Sequence, residues 1–452
     1  MSQGADSEPA TGGRFSRLLR LGEFGDLIRN AGINMGLRVL GAGIAYVSQI
    51  LLARWMGSFE LGIYVYAWVW TNMLAMVATL GFNSSVVRFV PEYIARNEYR
   101  DAKGVIRCSV LVVTLASTLF AVLGAIGLLV ARDEVAAYYF VPLLIAMAGV
   151  PLFTLLNLYS NLGRAFERFV FAIAPLVIVR PLLLLAAVAL LLLIGGTATG
   201  TIVIIIAVAS CAIVLAWQAL NFLRRMPETV RGAQPVYHFR YWLKVSIPLF
   251  LYNSFYLILY NTDVIMLGFF EKPDQVAIYN AALRTATLIN FIHLAISAVA
   301  APRFSALHAQ KKRDELQATF TGIAKWCFAG TLFTAVVLLA LGNFILGLFG
   351  PAFTVGMTAL AILIVGNAIH TAVGPFGDVL TMTGHQNASA IGLGVAAVLN
   401  IALNAILIPF FGIDGAAIAT AASMITLTAI LIVLAKRRVG ISPIRFGRSQ
   451  ST

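Results

Sequence analysis

Five charged side chains sit in apolar stretches where charge is costly, and they are the residues able to do chemistry. Arg38 stands about eight residues into a first apolar run, Arg180 in the middle of APLVIVRPLLLL, and Arg284 eight residues after Val276. Two acids accompany them: Asp263, and Asp378 in the GPFGD stretch at 374–378, which reads as a helix break. A charge buried in hydrocarbon faces a cavity or a partner. Arginine is the cation whose planar fork matches phosphate oxygens, so Arg38, Arg180 and Arg284 are candidate contacts for a phosphorylated cargo. For Arg38, snorkelling to the interface is the alternative. For Arg180 the alternative is a structural contact to backbone carbonyls freed by Pro181. Asp263 and Asp378 are candidate ion-coupling or gating residues. At 1.5 Å per residue, Asp263 and Arg284 lie roughly 10–12 Å below the same surface, so the sequence predicts that they pair. Tyr252, Tyr256 and Tyr260 recur every four positions with Asn253 and Asn261 beside them. They form either a sugar-stacking wall or an interhelix seam. His293 and His370 are interior and read most simply as packing residues.

The elements that hold these residues follow from composition. The chain has 452 residues, 60% hydrophobic and 11% charged. Ordinary soluble domains carry roughly 25% charged residues, so hydrocarbon must cover much of this surface. Twelve apolar runs are long enough to span: 31–54, 61–86, 105–131, 136–160, 169–193, 200–223, 242–270, 276–300, 321–349, 355–382, 388–410 and 413–436. The net charge of +13 is distributed by topology rather than as a nucleic-acid surface. Only Arg54, Arg132 and Lys272 fall in the odd-numbered loops, and apart from the three intramembrane arginines all other Lys and Arg lie in the tails and even-numbered loops. The positive-inside rule then puts both termini in the cytoplasm of a multi-pass bacterial inner-membrane protein. The expected organisation is an amphipathic N-terminal segment at 1–30, an N-lobe at 31–223, a linker at 224–241, a C-lobe at 242–436 and a basic tail at 437–452. Arg14, Arg17, Arg20 and Arg29 among leucines suit a helix lying on anionic lipid.

The two halves are weakly alike. An offset of 215 residues carries Ile50 onto Ile265, Leu52 onto Leu267, Ile63–Tyr64 onto Ile278–Tyr279, Ala67 onto Ala282 and Arg88–Phe89 onto Arg303–Phe304. Both halves start from the same side, so the repeats are parallel. That predicts an all-α integral membrane fold of two six-helix lobes, related by a pseudo-two-fold along the membrane normal, around a central cavity.

Several segments carry a family resemblance: ILLARWMGSFELGIYVYA at 50–67, LGFNSSVVRFVPEY at 80–93, DVIMLGFF at 263–270, VAIYNAALR at 276–284 and APRFSAL at 301–307. Together they resemble the polysaccharide-transporter branch of the multidrug/oligosaccharidyl-lipid/polysaccharide exporter superfamily, which includes the Wzx-type O-antigen flippases. The resemblance covers roughly residues 30 to 440. It implies that the two six-helix lobes form a V-shaped central cavity, and that alternating access flips a polyprenyl-diphosphate-linked oligosaccharide for surface or exopolysaccharide synthesis. A polysaccharide polymerase and a chain-length regulator are the candidate protein partners, with no nucleic acid. Lipid II flippases of the superfamily usually have two further spans.

No phosphate-binding GxxxxGK[ST] loop, HExxH or CxxC pair occurs, so neither a motor, a cofactor nor a metal is expected. Cys108, Cys211 and Cys327 are far apart and read as buried small hydrophobes. A polymerase or ligase would need a large outer loop, which the spacing of the runs excludes. A cation-coupled drug antiporter of the same superfamily is the alternative function. It would need acids lining its cavity, whereas three arginines against two acids favour an anionic cargo.

Overall fold

The computed structural model describes the backbone of residues 12–442; the side chains of 12–31, 33, 34, 252, 298 and 299 lie outside the described set. The amphipathic face expected before residue 30, the side chain of Tyr252 and most of the basic tail therefore fall outside the described residues.

Among the described residues every regular element is helical. Nine helices are long and apolar enough to cross a membrane, or ten if the bent pair Pro273–Ser297 and Ala300–Ala309 is one span. Two of these, Gly12–Ala78 and Gln386–Arg438, contain a non-helical glycine at Gly57 (φ 78°, ψ 171°) and Gly412 (φ 54°, ψ −129°). Both conformations are essentially restricted to glycine, so each marks a reversal rather than a bend. The packing agrees. Ala42 and Trp68 line one cavity, although a straight helix would hold them about 39 Å apart. Asn400 Nδ2 donates to Thr420 Oγ1 at 3.3 Å across Gly412. Dividing both helices at their glycines brings the count to the twelve spans expected.

In chain order the spans are the two halves of Met35–Ala78, then Tyr99–Val130, Ala137–Ala165, Phe169–Leu193 and Gly200–Arg225 in the N-lobe. The C-lobe holds Phe239–Phe270, the bent eighth span, Arg313–Phe349, Pro351–Ala372 and the two halves of Gln386–Arg438. Two boundaries differ from expectation. The second span ends at Ala78 and a separate helix, Phe82–Ala95, follows a left-handed turn at Leu80 and Gly81. The tenth span ends at Ala372, and Gly374–Pro375 divides it from the short helix Phe376–Met382, as GPFGD suggested.

The cores show how the lobes meet. One apolar cluster lies wholly within the C-lobe, around Phe304, Phe320 and Leu393. Another, around Phe82, Phe89 and Leu162, is N-lobe apart from the start of the seventh span, where Trp242 is fully buried. A third runs across both lobes on the face away from the termini, joining Leu61, Tyr64 and Tyr66 to Tyr279, Phe349 and Phe353. The lobes are thus welded at one end, and towards the other they separate on the side of the first and eighth spans, which opens the V there.

Polar contacts reinforce the weld. Arg54 donates from Nε to Leu348 O at 2.6 Å and from Nη2 to Gly347 O at 2.8 Å. Ser58 Oγ donates to Asp274 Oδ1 at 2.5 Å. Further in, Asn280 Nδ2 donates to Gln49 Oε1 at 3.2 Å, and Tyr46 Oη meets Thr285 Oγ1 at 2.7 Å. Among the described residues, Gly12–Ala78, which holds the first and second spans, packs extensively on Pro273–Ala286 and makes no comparable packing with Asn290–Ala309. The first and eighth spans therefore part below Tyr46. Along the other seam the lobes stay joined. Ser85 Oγ meets Ser246 Oγ at 2.6 Å, Asn253 Nδ2 donates to Ser84 Oγ at 3.2 Å, and Trp242 Nε1 donates to Tyr93 Oη at 3.0 Å.

The weld depends on a glycine. A Cβ at Gly62 would lie 1.9 Å from Pro273 O, a backbone atom that can move only with its helix. Gly62→Val is expected to pry the lobes apart at that face. In that background Gln49→Cys should react at least about 10-fold faster with an impermeant maleimide added from the side away from the termini. Unchanged labelling at normal protein level would mean the contact is not a closed gate.

Candidate functional site

Arg180 owes its position to two prolines. Pro181 has no N–H to return to Val177, so the preceding turn widens: Pro175–Val179 is π-helical and the Arg180 N–H reaches back to Pro175 O. The guanidinium then lies over Trp68 of the second span, 4.5 Å from the ring centroid, and 5.6 Å from that of Phe153 on the fourth. The two rings hold the cation by their negative faces, an interaction worth roughly 0.5–2 kcal/mol. They offer it no acceptor, and Nε and Nη1 are buried without a hydrogen-bond partner. Of the two readings the sequence left open, this geometry favours a donor set aimed at an acceptor from outside the chain over a static tie to carbonyls.

Arg284 closes the outer segment of the eighth span, one residue pair before the 3₁₀ turn Thr287–Ile289. It lines the same cavity as Arg180, about 530 Å³ between the lobes. Tyr46, Gln49, Tyr64, Trp68, Tyr256, Tyr260 and Asn280 are among the polar and aromatic groups of its wall. One cationic side chain from each lobe thus lines one space. Arg38 is exposed and is not part of this wall. It stands one helical turn beyond Ala42, which is. Asn253 does not line the cavity either, since its amide ties the seventh span to Ser84.

The expected Asp263–Arg284 pair does not form, and no ion pair within 4.0 Å joins them. Equal depth did not imply a shared face. Tyr279 Oη donates to Asp263 Oδ2 at 2.6 Å. Arg284 comes five residues later, roughly 140° around the helix, and so faces the lobe interface instead. Asp263 is 0% exposed, deep in the C-lobe. Thr420 Oγ1 donates to its Oδ2 at 2.5 Å and Asn404 Nδ2 to its Oδ1 at 2.9 Å. Asn404 Nδ2 also reaches Asn400 Oδ1 at 3.1 Å. Asn404 Oδ1 is buried with no partner. One carboxylate among neutral oxygens from the eleventh and twelfth spans can hold a proton or a small monovalent cation. The described residues contain no cluster of three or more His, Cys, Asp or Glu suited to a heavier metal. Sequence reasoning missed Asn400, Asn404 and Thr420. The two asparagines, four residues apart in LNIALNAIL, were the available signal.

Asp378 joins neither arginine nor Asp263. It sits just after the Gly374–Pro375 break, accepts a hydrogen bond from Ser297, and lies 3.5 Å from His293 Nε2. His370 Nδ1 meets Thr428 Oγ1 at 2.8 Å. These groups line a second cavity of about 460 Å³ whose lining comes from C-lobe residues alone.

Comparison with known proteins converges on the same architecture. A family model described as "Polysaccharide biosynthesis protein" matches residues 27–308, and the MatE model matches 248–406. "Probable low-salt glycan biosynthesis flippase Agl15" of Haloferax volcanii is 21% identical over 394 residues, covering 85% of this chain and 78% of that protein. The solved structure of lipid II flippase MurJ in an inward closed conformation superposes with a TM-score of 0.70 at 16% identity, covering 89% of this chain and 87% of its own. An inward-facing multidrug resistance transporter of the MATE family gives 0.69 at 16% identity, covering 90% and 94%. The first of these matched segments takes in the whole first span, Trp68, Arg180 and Arg284. With two six-helix lobes around a central cavity, and a family model spanning more than half its length, the chain belongs to the polysaccharide biosynthesis protein family, within the polysaccharide-transporter branch of the multidrug/oligosaccharidyl-lipid/polysaccharide exporter superfamily.

Proposed function

We propose that this protein is a flippase that moves a polyprenyl-diphosphate-linked oligosaccharide across the membrane for surface or exopolysaccharide synthesis, without a catalytic step. The observation that carries the reading is the convergence of Arg180 and Arg284, one from each lobe, on a single cavity. A diphosphate held between them is contacted by both moving parts, so its charge is stabilised while the lobes rock. The lipid tail must stay in hydrocarbon, which requires a side opening. The parting of the first and eighth spans below Tyr46 supplies one. The name of Agl15 points to the same class of cargo. Asp263 and its amide neighbours serve as the ion-coupling site. The concentration of Lys and Arg on one face supports cytoplasmic termini, with a bacterial inner membrane as the proposed setting.

A cation antiporter is disfavoured by electrostatics, because two arginines in the cavity repel a cationic drug. Reconstitution separates the two. Proteoliposomes should expose a dithionite-sensitive, fluorescently labelled prenyl-diphosphate oligosaccharide at least about 10-fold faster than protein-free vesicles. Ethidium movement should stay at background. Ethidium export with no glycolipid movement would overturn the reading.

A further inference from the structure

The seventh span divides two spaces of opposite chemistry. On one side is the arginine cavity between the lobes. On the other is the C-lobe cavity, whose described lining contains neither Lys nor Arg and one carboxylate, Asp378. The two spaces touch. Tyr256 and Tyr260 stand in both walls, their rings 4.5 Å apart and tilted by 35°, and Asn290 and Phe291 are also common to both. Tyr256 is 50% exposed, so its ring is presented rather than packed away.

Around Asp378 the wall is dense in neutral hydrogen-bonding groups: Ser297, Thr371, Thr381, Ser389, Thr428 and the Asn290 amide. Hydroxyls of this kind both donate and accept. Such a set suits a ligand that also presents many groups able to do either. The single carboxylate is a poor trap for a cation, because Ser297 already donates to it and His293 stands 3.5 Å away. His370, the other imidazole of the wall, is engaged with Thr428. Phe291 and the two tyrosines add flat apolar faces on which the C–H face of a sugar ring can lie, with their polar edges at its rim. The volume of about 460 Å³ falls within the roughly 300–1,000 Å³ of small-molecule sites.

We infer that the C-lobe cavity is a glycan subsite, which takes the uncharged sugars nearest the diphosphate while the arginines hold the diphosphate itself. Asp378 accepts from a sugar diol, His293 and the hydroxyls answer the remaining groups, and the Tyr256–Tyr260 pair is the threshold over which the glycan passes. The diphosphate half rests on the flippase reading above. The sugar half does not.

The test uses the full chain in nanodiscs with two probes, farnesyl diphosphate and the same lipid diphosphate carrying an N-acetylhexosamine disaccharide. Wild type should bind the glycosylated probe at least about 10-fold more tightly. Asp378→Asn and His293→Ala should each erase that difference while leaving the Kd for farnesyl diphosphate within about twofold. In parallel, free chitobiose, cellobiose or maltose should slow maleimide labelling of Ser389→Cys in the cavity wall. Protection by a free disaccharide with no binding of either lipid keeps the glycan subsite and removes the flippase reading. The inference is overturned by equal binding of both lipids to wild type with no protection by any disaccharide, by Asp378→Asn weakening both lipids alike, or by protection from tetraphenylphosphonium but from none of the sugars.

Discussion

Asp263→Asn is expected to leave the protein folded and inserted while abolishing its response to an imposed ion gradient. The amide is the same size as the carboxylate. Its oxygen can still accept from Asn404, and the Tyr279 and Thr420 hydroxyls can rotate to accept from its N–H groups. The network is thus re-satisfied at a cost of about 1 kcal/mol. What disappears is the only charge in the cluster, and with it the capacity to bind and release a proton or cation. In proteoliposomes, a sodium or proton gradient should accelerate glycolipid flipping by wild type at least about 10-fold and leave Asp263→Asn at the ungraded rate. A variant with the wild-type response would place coupling elsewhere. Asp263→Ala is a different experiment, since it strands buried donors at roughly 1–3 kcal/mol each and should lower the protein level itself. Exchanging the charges of Asp263 and Arg284 should rescue nothing, because Arg284 points away from the Asp263 side of the eighth span.

Arg180→Ala should weaken binding of farnesyl diphosphate by about 10- to 100-fold, the equivalent of one charge-assisted hydrogen bond at roughly 1.5–3 kcal/mol. Protein level should fall little, since Trp68 and Phe153 lose a cation from their faces and no hydrogen-bond network collapses. Arg180→Lys should recover only part of the affinity. An ammonium can still sit over Trp68, but it lacks the fork that engages two phosphate oxygens together. Trp68→Ala should reproduce a fraction of the loss by releasing the guanidinium from its position. Should Arg180→Ala bind the lipid diphosphate as wild type does, the central cavity is not the phosphate site.

Much of the architecture was legible because the bilayer imposes strong rules. Backbone groups in hydrocarbon must be paired internally, so apolar runs become helices and their number follows from length. The offset of 215 even carries Gly57, where the first span reverses, onto Lys272, where the seventh gives way to the eighth. Charges inside those runs were conspicuous for the same reason. Arg180 and Arg284 were identified by their cost in lipid, and both do face the central cavity.

Helical phase and partner choice were not legible. A residue's depth is set by counting along one helix, but the neighbour it meets depends on how helices distant in sequence rotate and pack. Asp263 therefore found Asn404 and Thr420, from 141 and 157 residues away, rather than Arg284 at the same depth. Asn253 became a tie between lobes for the same reason, and Asp378 went to a cavity of its own. The sequence by itself determined that the chain is a helical membrane protein and that a few costly charges mark its interior, since both follow from local solvation energy. Only the tertiary structure decided that the charges divide among a cationic interlobe cavity, a buried carboxylate–amide cluster and a C-lobe cavity with Asp378 among neutral polar groups. That division is a matter of which helix faces coincide, and coincidence is fixed by packing across the whole fold.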